Sequence, residues 1–183
     1  MGLKEKLGNA LGMGGFIHVG TRLDIRHFAL DESGSLVRMC QDGTKRRFRE
    51  VLSDRRTVIN KKVTTAYVNF LVDQHQTESS LIGDFKYHEM GLGSTAENAS
   101  DTALETTTGI ARVTGTQTEG SSANIYKSVG TVTADTTETI REHGLFNASS
   151  GATLMDRTVF GAISVVSGNQ IEFSFEITYS SGG

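Results

Sequence analysis

Hydrophobic and polar residues alternate in the last patterned stretch of the chain, QIEFSFEITY. The alternation places Ile171, Phe173, Phe175, Ile177 and Tyr179 on one side and polar residues on the other. Successive side chains of a strand point to opposite faces of a sheet, so this two-residue period predicts a strand with one face against a core. We expect it to pair with the preceding stretch, RTVFGAISVV, across the turn sequence SGN.

Strand-like patterns recur in short stretches along most of the chain. Two of them, RLDIRHFAL and SLVRMCQDGT, flank the turn sequence DESG, and later ones are DFKYHEMGLG, GIARVTG, IYKSVGTVTA and ETIREHGLF. In DFKYHEMGLG we expect Phe85, Tyr87 and Glu89 to share a face. Many short strands separated by turns are typical of a β-sandwich, so we predict a mainly β fold with jelly-roll-like or immunoglobulin-like packing.

One stretch, VTTAYVNFLVDQH, has a helical period instead. Its apolar positions Val63, Ala66, Tyr67, Phe70 and Leu71 fall on one helical stripe. This predicts a short helix near residues 63–75 that packs against the sandwich.

The first 20 residues have a different character and are interpreted as an N-terminal arm, with residues 21–183 as the sandwich domain. Leu3, Leu7 and Leu11 lie at helical spacing, but glycines interrupt them, and so short a helix is not stable alone in water. We therefore expect a partner to order the arm through Leu3, Leu7, Leu11 and Phe16.

The composition supports a single β domain and limits the chemistry. A chain of 183 residues is long enough to bury one core, and it has no proline, no tryptophan and one cysteine, Cys40. A single cysteine excludes an internal disulfide and the common zinc spacings. The sequence also lacks a stretch that could cross a bilayer and the apolar region of a signal peptide, so we expect a soluble protein made in a reducing compartment.

Charge divides the chain into two unlike parts. Residues 1–62 contain 13 of the 18 Lys and Arg but 7 of the 21 Asp and Glu, so the remainder is strongly acidic. Acidic residues are interspersed and no recognition motif follows, so we do not expect nucleic-acid binding. We expect the segment 45–62 to contact an acidic protein surface, such as that of a neighbouring copy, through Lys45, Arg46, Arg47, Arg49, Arg55, Arg56, Lys61 and Lys62.

One stretch contains residues that could form a hydrolase site. REHGLFNASSGATLMDRTVF, residues 141–160, includes His143, Ser149, Ser150 and Asp156. It lacks the G-x-S-x-G frame of a strained nucleophile turn, so we interpret NASSG as a tight turn between two strands. GLGS lacks the lysine of a phosphate-binding loop, and the five histidines have no metal-ligand spacing. We therefore expect no catalytic, cofactor or metal site.

Several stretches in order resemble a module of tailed-bacteriophage virion proteins. They are FKYHEMGLGSTAENASDTALETTTGIARVTGT and YKSVGTVTADTTETIREHGLFNASSGATLMDRTVF, and with the paired-strand ending the likeness covers roughly residues 63–180. The resemblance implies a small β-sandwich of the kind found in capsid-decoration, fibre and tail-associated proteins.

The resemblance leads us to expect a structural role without enzymatic activity. The first hypothesis is a capsid decoration (cement) protein that binds over the assembled shell, with the major capsid protein or other virion proteins as partners. The resemblance also favours a homo-oligomer, a trimer above all, located in the virion after synthesis in the host bacterial cytoplasm. The alternative is a tail, collar or fibre-associated component, and a less favoured one is a phage polysaccharide hydrolase, which would need paired carboxylates in a groove.

Overall fold

The computed structural model describes residues 17–39, 45–46, 56–59, 63–74 and 82–181. These residues form two antiparallel sheets and one α-helix, which confirms the prediction of a mainly β-sandwich with one short helix. The strands are β1 Ile17–Leu30, β2 Leu36–Met39, β3 Lys45–Arg46, β4 Arg56–Ile59, β5 Tyr87–Gly91, β6 Val113–Thr114, β7 Thr116–Glu119, β8 Ile125–Thr133, β9 Glu138–Phe146, β10 Leu154–Val165 and β11 Gln170–Ser181. The helix α1 is Thr65–Gln74, and a 3₁₀ turn covers Ile82–Asp84.

The larger sheet, sheet A, is built around the pairing of the first and last strands. Its order is β3-β2-β1-β11-β8-β7, and β4 also pairs with β1. The β1–β11 register runs from Ile17 opposite Ser181 to Phe28 opposite Gln170. Sheet B has the order β10-β9-β5-β6. A long central ladder therefore joins the two ends of the described chain. The expected pairing of QIEFSFEITY with RTVFGAISVV was wrong, because β11 pairs with β1 and β8 in sheet A while β10 pairs with β9 in sheet B.

The core lies between the sheets and follows the alternation of the sequence. Phe173 and Phe175 of β11 are fully buried, as the pattern predicted, and Leu23 and Ile25 of β1 are 1% exposed. They meet the inner side chains of sheet B, among them Leu145 of β9. Because residues of both sheets point into the same space, the two-residue period produces one continuous apolar layer.

The helix α1 covers an edge of this core. Tyr67 and Phe70 are buried, and both rings make T-shaped contacts with Phe85, at centroid distances of 5.1 and 4.9 Å. The predicted helix is confirmed, but Val63 precedes it and instead forms a β-bridge with Asp156 of β10. The chain thus crosses from sheet A to sheet B just before the helix begins.

The turns between strands also follow the sequence. In the β1–β2 turn, Asp31 Oδ1 accepts hydrogen bonds from the backbone N–H groups of Ser33 and Ser35, both at 2.9 Å. Gly34 has φ 77° there, and Gly168 has φ 85° in the β10–β11 turn, a backbone conformation that favours glycine. β1 begins at Ile17, so residues 17–20, which the sequence analysis assigned to the arm, belong to sheet A.

Both faces of β5 are buried, which the expected alternation did not anticipate. His88 and Met90 point into the core, whereas Glu89 lies on the outer face of sheet B. Tyr87 packs in a second, smaller apolar cluster with Phe146. The expected shared face of Phe85, Tyr87 and Glu89 was wrong, because Phe85 precedes β5 and lies in the main core, whereas Tyr87 and Glu89 lie on the outer face of sheet B.

Candidate functional site

The stretch 141–160 places its serines away from its histidine and aspartate. His143 lies in β9 and Asp156 in β10, while Ser149 and Ser150 are exposed in the connection between these strands. Asn147 closes that connection, since its N–H donates to the Thr153 carbonyl at 3.3 Å and its Oδ1 accepts from the Thr153 N–H at 2.8 Å. The interpretation of NASSG as a tight turn is confirmed.

The imidazole of His143 instead joins a relay of polar side chains inside the core. His143 Nε2 lies 2.9 Å from His88 Nδ1, and His88 Nε2 lies 2.8 Å from Ser128 Oγ. His88 and His143 are diagonal neighbours on β5 and β9, and Ser128 reaches them from β8 in the opposite sheet. The relay therefore connects the two layers of the sandwich.

The polar line continues across sheet B. Thr158 of β10 lies directly opposite His143, and its hydroxyl donates to Asp156 Oδ1 at 2.6 Å. The five side chains Ser128, His88, His143, Thr158 and Asp156 are each at most 1% exposed. Buried polar side chains are stable only when they are hydrogen-bonded. Here Ser128, His88 and His143 bond in series, and Thr158 bonds Asp156.

The space for His88 is made by two glycines. A Cβ atom on Gly115 would lie 2.6 Å from His88 Nε2, and one on Gly130 would lie 2.6 Å from His88 Cδ2. Such distances are too short for non-bonded atoms, so the imidazole occupies the volume that two side chains would otherwise fill. The ring of His143 lies against Phe173, with centroids 4.5 Å apart.

Burial keeps both histidines neutral. It lowers the pKa of His88 to about 3. Burial, and then the charge that His88 would carry, lowers the pKa of His143 well below its usual value. In the described part of the chain His143 Nδ1 has no hydrogen-bond partner.

This pattern assigns the proton positions. A neutral imidazole carries one N–H, and leaving a bare nitrogen unpaired is preferable to burying an unpaired N–H. The arrangement then has His143 Nε2–H donating to His88 Nδ1 and His88 Nε2–H donating to Ser128 Oγ.

The relay has the same kind of hydrogen bond as the serine–histidine pairs of nucleophilic catalysis, but a substrate in solution could not reach it. A catalytic serine must meet its substrate, whereas Ser128, His88 and His143 are each 0% exposed. Their arrangement can join the two sheets and make the stability of the fold depend on pH. Within the described residues, no group of three or more His, Cys, Asp or Glu side chains could hold a metal ion.

A second buried polar cluster holds a long loop against the outer face of sheet B. Arg157 of β10 is 4% exposed, and its Nε donates to Glu142 Oε2 of β9 at 2.6 Å. Its Nη1 donates to Asp101 at 3.0 Å, and its Nη2 to Glu105 at 3.2 Å and to the Thr95 carbonyl at 3.1 Å. Thr95, Asp101 and Glu105 all belong to the loop between β5 and β6.

The carboxylate of Glu142 bonds the backbone of the same loop. Its Oε1 accepts from the N–H groups of Gly93 and Thr106, both at 2.9 Å, and its Oε2 from the N–H of Glu105 at 3.1 Å. With Arg157, four donors surround a side chain that is fully buried. A Cβ on Gly93 would lie 2.5 Å from Glu142 Oε1, so the second glycine of GLGS gives the loop room to approach.

Apolar contacts complete the attachment of this loop. Leu104 is 7% exposed and packs against Phe146 and Leu154 on the outer face of sheet B. Arg112, at the end of the loop, donates to Glu89 at 2.7 Å and lies 3.5 Å above the Phe146 ring. The loop is thus an additional layer over sheet B, although more than half of its residues are polar.

The binding residues expected from the sequence lie largely outside the described residues. This applies to the arm residues Leu3, Leu7, Leu11 and Phe16, and to Arg47, Arg49, Arg55, Lys61 and Lys62 of the basic segment. Three positions of the segment fall in strands: Lys45 and Arg46 in β3, opposite Met39 and Arg38, and Arg56 in β4, opposite Ile25.

The two buried clusters were missed by sequence reasoning. A histidine or glutamate in an alternating strand pattern is ordinarily expected to face water, and nothing nearby in the sequence marks Ser128 or Arg157 as a partner. The available signals were indirect. They are the glycines Gly91, Gly93, Gly115 and Gly130, each of which would place a Cβ within 3 Å of His88 or Glu142.

No protein-family model, curated protein or solved structure matches the chain. In the described part of the chain, no helix has the length and apolar character needed to cross a membrane.

Proposed function

We propose that this protein is a structural component of a tailed-bacteriophage virion, a decoration (cement) protein that binds over the assembled shell. The resemblance over residues 63–180 supports the identity of the particle. The sandwich, whose long loop is attached over sheet B, supports a role as a building block.

The observation that carries the proposal is that the buried polar side chains hold parts of the fold together. Ser128, His88 and His143 bond one another across the core, and Arg157 and Glu142 bond the loop to sheet B. An enzyme needs such groups at an accessible surface, whereas these are at most 4% exposed. They stiffen the sandwich, and stiffness is what a protein that binds over a shell requires.

Attachment to the particle is assigned to segments that precede or interrupt the sandwich. The arm residues Leu3, Leu7, Leu11 and Phe16 supply apolar contacts, and the basic segment 45–62 supplies charge for an acidic partner such as the major capsid protein. We propose a trimer as the bound form, since closed cyclic assemblies match the symmetric positions of a shell.

Copy number in the particle tests the proposal. Particles of the phage that encodes this chain would be purified, and the protein quantified by mass spectrometry against isotope-labelled peptides. The major capsid protein and one tail protein, measured in the same sample, serve as standards.

A decoration protein should occur at a copy number comparable to that of the major capsid protein. A copy number like that of the tail protein would replace the proposal with the tail, collar or fibre alternative. Absence from purified particles would refute a virion role altogether.

A further inference from the structure

An apolar pocket opens at one end of the sandwich. It has a volume of about 320 Å³ and lies between the β1–β2 hairpin and the β10–β11 turn. Its lining includes Ala29, Leu30, Met39, Val165 and Val166. Leu30 and Val166 are 40% and 52% exposed, so two large apolar side chains at the pocket face solvent.

Three connections between strands meet at this end of the molecule and surround the pocket. The β10–β11 turn bonds the residues after β8, since Gly168 N–H donates to the Ala134 carbonyl and Ala134 N–H to the Asn169 carbonyl, both at 2.8 Å. A Cβ on Gly168 would lie 3.1 Å from Leu30 Cδ1, which shows how closely the β1–β2 hairpin approaches. The pocket is therefore built by the β1–β2 hairpin and by the β8–β9 and β10–β11 connections, and each of these two connections joins the two sheets.

The segment that precedes β1 leaves from the opposite end. Ile17 pairs with Ser181, whereas Phe28, next to the pocket, pairs with Gln170. Since a strand rises about 3.3 Å per residue, Ile17 lies roughly 40 Å from Ala29 along β1. The arm residues and the pocket thus belong to opposite ends of one long strand.

Chain length favours a neighbour's pocket over the molecule's own. The 16 residues before β1 span at most about 55 Å when fully extended. A return along β1 would use about 12 of them, so Leu3 alone would come near the pocket. A copy placed end to end presents its pocket directly to the arm, within reach of Leu3, Leu7 and Leu11.

We infer that the arm of one copy inserts its leucines into this pocket of a neighbouring copy, head to tail. The ligand is residues 1–16 of the same protein, which contact the pocket through Leu3, Leu7 and Leu11, and the rim residues Leu30 and Val166 are the contacts that it covers. A head-to-tail contact joins two different surfaces, so it closes into a ring or extends into a chain of subunits. The inference concerns contact between copies and does not depend on attachment to a virion. With the leucines of the arm bound to a neighbouring copy, attachment to a shell would rest on the basic segment 45–62.

Disulfide trapping in the full chain tests the inference. In a Cys40→Ser background, one chain carries Leu7→Cys and a second, tagged chain carries Val166→Cys, and the two are mixed by refolding and then oxidised. Val68→Cys replaces Val166→Cys in the control, because Val68 is similarly exposed, at 48%, but lies on α1. We expect at least about tenfold more mixed disulfide with Val166→Cys than with Val68→Cys.

Two results would overturn the inference. One is an equal yield of mixed disulfide at the two positions. The other is a chain with both Leu3→Cys and Val166→Cys that forms its disulfide within one molecule at every concentration, since the arm would then occupy its own pocket.

A measurement without cysteine variants guards against misfolding. Light scattering of the full chain should show self-association weakened about tenfold by Val166→Asp and within twofold of the parent for Val68→Asp. Equal effects, or no effect of Val166→Asp in a folded protein, would contradict the inference.

Discussion

Mild acid should destabilise the fold through His88 and His143. Both imidazoles are fully buried, and their pKa values in the folded protein lie below the ordinary value of 6.5, for His88 at about 3. At a pH between the folded and unfolded pKa values, both imidazoles are protonated in the unfolded chain but neutral in the folded protein. Stability is therefore fully present above pH 6.5 and falls as the pH drops towards the folded pKa.

The magnitude follows from the difference in proton binding. At pH 5.5, one unit below the unfolded pKa, each histidine lowers the free energy of unfolding by roughly 1–2 kcal/mol. The pair together should lower it by about 3 kcal/mol between pH 7.5 and pH 5.5. This is a large fraction of the roughly 5–15 kcal/mol that stabilises a typical domain.

Urea unfolding, followed by circular dichroism at pH 7.5 and pH 5.5, measures the effect. His143→Gln removes one titrating group but keeps a side chain able to bond His88 Nδ1, so it should remove roughly half of the pH dependence. Ser128→Ala is the matched control. It deletes a hydrogen bond of the same relay and should lower stability at both pH values while leaving their difference unchanged.

One result would refute this reasoning. If the parent and His143→Gln lost the same free energy of unfolding between the two pH values, His143 would be protonated in the folded state. The nearest explanation would then be Asp156, which lies on the same polar line beyond Thr158 and could stabilise an imidazolium ion.

Further substitutions test the packing of the sandwich, each measured by urea unfolding. Phe173→Ala should cost about 3–5 kcal/mol, because the ring is fully buried, and a loss below 1 kcal/mol would contradict its place in the core. Arg157→Met should cost about 3–5 kcal/mol by leaving Glu142 buried without its cation, and proteolysis should then cut residues 92–112. Gly130→Ala should destabilise the protein by more than about 1 kcal/mol, since its Cβ would overlap the His88 ring, whereas Gly20→Ala, with open space around it, should not. Equal effects of these two glycine substitutions would show that the ring does not need the space.

The strands could be predicted because their cause is local. The alternation in QIEFSFEITY needs no knowledge of the rest of the chain, and Phe173 and Phe175 are buried as that pattern requires. The turn residues Asp31 and Gly34 act in the same way, through bonds and backbone angles within a few residues. Local periodicity and turn chemistry therefore determined the elements and the β class.

The partners of the polar side chains could not be predicted, because the distances between them are set by the sheets. His88 and His143 are 55 residues apart in sequence, and Ser128 reaches them from the other sheet. Alternation assigns a residue to a face but does not say whether that face meets water. Glu142 belongs to an outer face that a loop happens to cover.

The amino-acid sequence by itself thus determined the longer strands, the short helix and the apolar side of β11, since these depend on side-chain period and turn residues. The short strands β3, β4 and β7 were not predicted. The tertiary structure alone decided which polar side chains are buried and which groups form hydrogen bonds with them. A buried histidine or carboxylate is stable only beside partners brought from distant strands, as Arg157 and the loop bring donors to Glu142. The role of the glycines that make room for these groups is decided in the same way, because only the folded sandwich places His88 and Glu142 beside them.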